Sequence, residues 1–165
     1  MSEQTETQTT QCKCIVAVKI RGSIDAGRDA RATLQMLHLN RTNHAVIIDD
    51  RPAFTGMLRR VQNYVTWGEA SKETVLLLLK ERGKLVGGRK LTEENVHVLG
   101  FNSLEELAQA IVKGEVEYWK LDVQPVFKLH PPAKGYKGKT KRSFSSGGES
   151  GYRGDKINEL VKRMS

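Results

Sequence analysis

Between Ile20 and Ser71 every basic residue is an arginine: Arg21, Arg28, Arg31, Arg41, Arg51, Arg59 and Arg60. A guanidinium is a planar fork that meets phosphate oxygens two at a time and stacks on bases, which an ammonium does less well. A second block, from Lys128 to Arg142, holds six cations and no acid: Lys128, Lys134, Lys137, Lys139, Lys141 and Arg142. Tyr136 and Phe144 are interleaved with this block and with glycines. A backbone of that composition can follow a groove while its aromatics stack on bases or sugars. The whole chain, 165 residues, carries 27 Lys and Arg against 19 Asp and Glu, a net charge of +8. A surface charged for solubility alone would intersperse both signs. Segregation into an arginine block, a neutral middle and a basic glycine-rich end predicts a polyanion as partner.

Other chemistries find no support in the residues. A zinc site needs about four ligands. Beyond Cys12 and Cys14 the chain offers His38, His44, His97 and His130, none paired at ligand spacing. Gly83 to Gly88 mimics half of a phosphate loop, but Arg89-Lys90-Leu91 follows where Lys and then Ser or Thr are required. The acidic pairs Asp49-Asp50, Glu93-Glu94 and Glu105-Glu106 are adjacent residues, which do not share a helix face, and the last two fall in helix first turns where they suit the dipole. No serine stands in a Gly-x-Ser-x-Gly turn. The expectation is a protein with no catalytic residue, metal, cofactor or small-molecule substrate. Cys12 and Cys14 sit too close for an ordinary disulfide in an extended segment, which points to a reducing, cytoplasmic setting. No apolar run approaches the roughly 20 residues that cross a bilayer, and Met1 to Gln11 has neither the basic nor the apolar region of a secretory signal.

The elements that must position these charges follow from periodicity. Residues 1–11 lack an aliphatic anchor and read as disordered. Cys14, Val16, Val18 and Ile20 alternate with Lys13, Ile15, Ala17 and Lys19, the pattern of a strand with one core face, stopped at Gly22. A helix near 27–39 turns Ala30, Leu34 and Leu37 inward and sets Arg28, Arg31, Gln35 and His38 on a basic ridge. A strand over 44–50, a helix over 55–63 with Arg59 and Arg60 outward, and a strand over 64–67 complete a β-α-β-α-β order. Ser71 caps a helix to Arg82 that is apolar all round over 75–79, Thr92 opens a short helix, and Ser103-Leu-Glu-Glu106 is a capping box for another that stops at Gly114. A last strand spans 126–129. Residues 133–154 read as an extended basic tail, mobile in the isolated protein and separable from the 12–130 fold, and Asp155 caps a final helix with Ile157, Leu160, Val161 and Met164 on one stripe.

Several of these segments resemble the large-subunit ribosomal protein L-thirty family. They are Thr33-Leu-Gln-Met-Leu-His-Leu39, Asn43-His-Ala-Val46, Thr55-Gly-Met-Leu-Arg-Arg-Val-Gln-Asn63 and Trp67-Gly-Glu69, within residues 12–70. Residues 71–165, with Phe127-Lys-Leu-His-Pro-Pro132, Gly147-Gly148 and the closing amphipathic helix, resemble the longer archaeal and eukaryotic members. The short acidic start differs from the long basic arm of eukaryotic members and so favours an archaeal-type protein. The resemblance implies an α+β fold: a small antiparallel sheet with helices packed on one face, in a ferredoxin-like arrangement. To the 12–70 core it adds a helical extension with the last strand over 71–132, then the basic tail with its C-terminal helix over 133–165. It implies assembly into the large ribosomal subunit against ribosomal RNA and neighbouring subunit proteins, with no catalysis. The alternative is a free-standing RNA-binding factor in ribosomal RNA maturation; a nucleotide-using enzyme is disfavoured by the missing phosphate loop.

Overall fold

The computed structural model describes residues 13–165, so Cys12 and the segment 1–11 read as disordered lie outside the described residues. In chain order the elements are β1 (Cys14–Lys19), α1 (Arg28–Met36), β2 (His44–Asp49), α2 (Pro52–Arg60), β3 (Val65–Glu69), α3 (Lys72–Arg82), α4 (Leu104–Lys113), β4 (Val126–Lys128), β5 (Lys139–Ser143), β6 (Gly148–Tyr152) and α5 (Ile157–Met164). They build one six-stranded sheet in the order β4-β2-β1-β3-β6-β5. β1 is antiparallel to both β2 and β3, and β4 is antiparallel to β2. β6 joins β3 in parallel, and β5 joins β6 in parallel with a register shift. The fold is therefore α+β, with the ferredoxin-like core that the family resemblance implies and a mixed sheet enlarged by the C-terminal third.

The expectation of one core face on β1 is corrected, because all six of its residues are buried. Its alternation divides two apolar layers instead of separating core from solvent. Ile15 and Ala17 pack with Val46, Ile48, Leu34, Leu37, Leu58 and Val61 under α1 and α2. Cys14, Val16 and Val18 pack with Ala45, Ile47, Val75, Leu78, Leu107, Ile111, Leu160 and Val161 under α3, α4 and α5. Helices α1 and α2 thus cover one face of the core, as expected, and the extension covers the other. That second layer explains α3, whose apolar residues run all round: Val75, Leu78 and Leu79 are fully buried and Leu76 and Leu77 half-buried between neighbours on two sides.

Local signals closed the helices largely as the residues dictate. The Ser71 hydroxyl accepts from the Thr74 backbone N–H at 3.3 Å. The Ser103 hydroxyl accepts from the Glu106 N–H at 3.2 Å, while the Glu106 carboxylate reaches one residue further back than an ordinary capping box and accepts from the Asn102 N–H at 3.0 Å. Three readings change. Thr92 opens a turn, and the helical residues are a short 3-10 segment at Val96–Leu99. Asp155 lies inside a 3-10 turn, Gly154–Lys156, and α5 follows it without a side-chain cap.

The third change is the largest. Residues 133–154, read as a basic tail without strands, supply β5 and β6, and β4 is not the last strand. The physical cause is a buried polar knot that composition does not show. The Arg153 guanidinium donates to the Thr66 hydroxyl at 2.7 Å, to the Glu149 carbonyl at 2.6 Å and to the Glu149 carboxylate at 2.7 Å. The Glu149 carboxylate also accepts from the Gly138 N–H at 2.8 Å, and the Thr66 hydroxyl donates to the Gly151 carbonyl at 2.9 Å. Parallel strands ordinarily need a crossover of about a dozen residues or more. Here residues 144–147 suffice because Gly147 takes φ +78° and the backbone at Gly148 lies so close to Arg142 that no Cβ could fit.

Candidate nucleic-acid interface

Strand register sorts the charges by the two ends of the sheet. At one end, Cys14 faces Asp49, Ile15 faces Glu69, and the Asp50 N–H donates to the Lys13 carbonyl. The Glu69 carboxylate there accepts from the Tyr152 hydroxyl at 2.7 Å, and that bond, with Asp155 and Asp50 nearby, pushes the phenol up to about 12. This is the carboxylate-rich end. At the other end β1 finishes at Lys19 with Arg21 two residues beyond it, β2 begins behind Arg41 at His44, and β4 finishes at Lys128 opposite His44. β3 begins there too, at Val65 opposite Lys19, a short turn after Arg59 and Arg60 close α2. β5 starts at the same level, since Lys139 faces Gly148 at the beginning of β6, which runs parallel to β3. Arg41, Arg59, Arg60, Lys128 and Lys139 are all exposed, and Arg21 is half-exposed with its guanidinium 5.5 Å from the Tyr64 ring centroid.

Not every expected residue joins them. Arg51 belongs to the opposite end, where it pairs with Asp49 at 3.3 Å and with Glu117 and lies 5.7 Å from the Trp119 ring centroid. Arg31 folds back onto its own loop, donating to the Ala26 carbonyl at 2.8 Å and the Ile24 carbonyl at 2.6 Å, while Arg28 remains exposed at the start of α1. Lys137 pairs with Glu159 at 2.8 Å, and Lys134, Lys141 and Arg142 are exposed. The two aromatics are committed within the protein. Tyr136 packs half-buried on the core and donates to the Asn43 side chain at 3.4 Å, and Phe144 lies beneath Arg153 and Lys156, 4.9 and 5.4 Å from its centroid.

The structure also adds residues that the charge blocks did not suggest. Lys156, Arg153 and Arg163 join Lys137 and Phe144 around a cleft of about 380 Å³ between β5–β6 and α5. Lys19, only 2% exposed, donates to the Ser23 hydroxyl and the Asn40 carbonyl, each at 3.0 Å, and burial lowers its pKa. Burial lowers the pKa of His44 as well, reinforced by the positive charges of Lys128, Arg41 and Lys19. The signal for both was present as polar residues at strand positions, but only the pairing register brings them together.

The His44 shift has a consequence for stability. Its folded pKa lies below the ordinary 6.5, so as pH falls through 6.5 the unfolded chain takes up the proton first and the fold loses stability. Thermal melts at pH 7.5 and 5.5 should therefore show a larger drop for the wild type than for His44→Gln. An equal drop in both proteins would remove His44 as the source.

Among the described residues there is no group of three or more His, Cys, Asp or Glu placed to hold a metal, and no helix long and apolar enough to cross a membrane. What the fold and its charges define is a small basic α+β protein of ferredoxin-like core whose cations gather at one end of its sheet. The family model for ribosomal protein L30p/L7e matches residues 15–65. The chain is 45% identical over 148 residues to the large ribosomal subunit protein uL30 of Methanococcus maripaludis, covering 89% of this chain and 96% of that protein. It is 44% identical over 151 residues to uL30 of Thermofilum pendens, and 46% identical over 155 residues to uL30 of Ignicoccus hospitalis. These alignments cover 90% and 92% of this chain and 97% and 98% of the two relatives. The chain belongs to the uL30 family of large-subunit ribosomal proteins, in its archaeal form.

Proposed function

We propose that this protein is a structural constituent of the large ribosomal subunit that binds ribosomal RNA through the cationic end of its sheet and supports assembly of the subunit. The observation that carries the reading is the polarity of the sheet: cations at the end defined by Lys19, His44 and Lys128, carboxylates at the end defined by Asp49 and Glu69. A phosphate backbone is attracted to the first and repelled by the second. The relatives are named as proteins of the large ribosomal subunit, which supports the RNA of that subunit as the partner. Neighbouring subunit proteins are the partners for surfaces away from that end, and the setting is the cytoplasmic ribosome.

The test is retention of protein-stripped large-subunit RNA from Methanococcus maripaludis on filters, across a salt series. Replacing Arg21, Arg59 and Arg60 together with glutamine should lower affinity and flatten the slope of log affinity against log salt by roughly 2 units, at about 0.7–0.9 per phosphate contact. Lys13→Gln and Arg51→Gln, at the carboxylate-rich end, should leave the slope unchanged. Equal slopes for all variants would place the RNA elsewhere. A protein that binds the RNA but sediments with precursor particles and not with mature large subunits would be a maturation factor instead.

A further inference from the structure

Three titratable side chains stand in one row across three adjacent strands. The antiparallel register that sets Val18 against Ala45 brings Lys19 against His44 one step on, and His44 is in turn set against Lys128. Residues directly opposite share a face of the sheet, here the face under α1 and α2, to which Val46 and Ile48 also turn. Arg41, three residues before His44, flanks the row and is exposed. Among the described residues the charges that act on the His44 ring are positive: Lys128 from β4, Arg41 from the turn after α1 and Lys19 from β1. Among the described residues none of Lys19, Arg41 and Lys128 is in a salt bridge. Like charges gathered without a counter-ion cost free energy unless an anion from outside completes them.

His44 gives the site its geometry. Its Nδ1 is buried and has no hydrogen-bond partner among the described residues. A buried N–H without an acceptor is a costlier defect than a bare lone pair, so the ring proton belongs on Nε2 and the imidazole is neutral. A neutral ring in that tautomer has one N–H to offer. Lys19, nearly sealed from solvent, ties Ser23 and Asn40 together and so fixes the turn from which Arg41 projects.

We propose that this row is a prebuilt anion site that takes one phosphodiester group of bound RNA, with Arg41 and Lys128 supplying charge and neutral His44 donating the hydrogen bond between them. The site deepens the RNA-binding reading above and rests on it. Its test uses the full chain and the same stripped RNA from Methanococcus maripaludis, with circular dichroism confirming the fold of each variant. Arg41→Gln and Lys128→Gln should each reduce the salt slope by roughly 0.7–0.9. His44→Ala should weaken binding by roughly 10–150-fold, the worth of one hydrogen bond from a neutral donor to a charged acceptor, with the salt slope unchanged. His44→Gln, which keeps a donor, should stay within about 2-fold of wild type. If affinity and slope are unaffected in all four variants while the wild type binds, the phosphate site is overturned and the broader RNA reading stands. A His44→Ala slope reduced as far as that of Lys128→Gln would show a protonated ring and overturn the neutral donor. Failure of the wild type to retain the RNA would overturn the RNA reading and this site with it.

Discussion

Deleting residues 153–165 should leave a chain without a cooperative thermal transition. Helix α5 places Ile157, Leu160, Val161 and Met164 in the core cluster shared with α3 and β1, each 2% exposed or less. Burial of a large apolar side chain contributes about 1.5–3 kcal/mol, so four of them are worth about as much as the 5–15 kcal/mol by which a typical domain is stable at all. The helix also holds the chain that follows β4, since the His130 and Ala133 N–H groups donate to the Met164 and Arg163 carbonyls at 2.8 and 2.9 Å. Far-UV circular dichroism against temperature reads the result. A sharp melt close to that of the full chain would show that the α3–α4 layer closes without α5.

Arg153→Met should cost about 3–5 kcal/mol, the usual penalty for removing one partner of a buried ion pair and stranding the other. Both side chains of the Arg153–Glu149 pair are nearly sealed, at 5% and 7% exposure. The substitution also takes a donor from the Thr66 hydroxyl and strips the cation from one side of Phe144. Pairing Arg153→Met with Glu149→Leu should recover much of the loss, because no charge is then left buried. Urea denaturation of the single and double variants forms the cycle, and hydrogen exchange should show β5 and β6 opening before β1 and β3. A single variant within 0.5 kcal/mol of wild type, roughly the effect of an ordinary surface change, would mean the pair is open to water.

The core was legible because its signals are local. The alternation from Cys14 to Ile20, the Ser71 and Ser103 caps and the four-residue stripe of α5 each lie within one element, and each appears in the structure. The misreadings involve partners far apart in sequence. Alternation on β1 cannot say that both faces are covered, since the second cover comes from α3, α4 and α5. Nothing in Lys139–Ser143 alternates, because β5 is an edge strand whose residues are exposed or half-exposed and which is held through the Glu149–Arg153 knot. Arg51 looked like its fellow arginines until Glu117 and Asp49 were folded against it. Arg59 and Arg60 could be read as outward from helix periodicity, but the row of Lys19, His44 and Lys128 needed the register of three strands.

Ultraviolet crosslinking of the protein within purified large subunits, with adducts mapped by mass spectrometry of its peptides, tests the central claim most directly. RNA adducts should concentrate on the peptides containing Arg21, Arg41 to His44, Arg59 to Arg60 and Lys128. Adducts confined to the peptides around Asp49 to Arg51 and Glu69, with none at the cationic end, would contradict it.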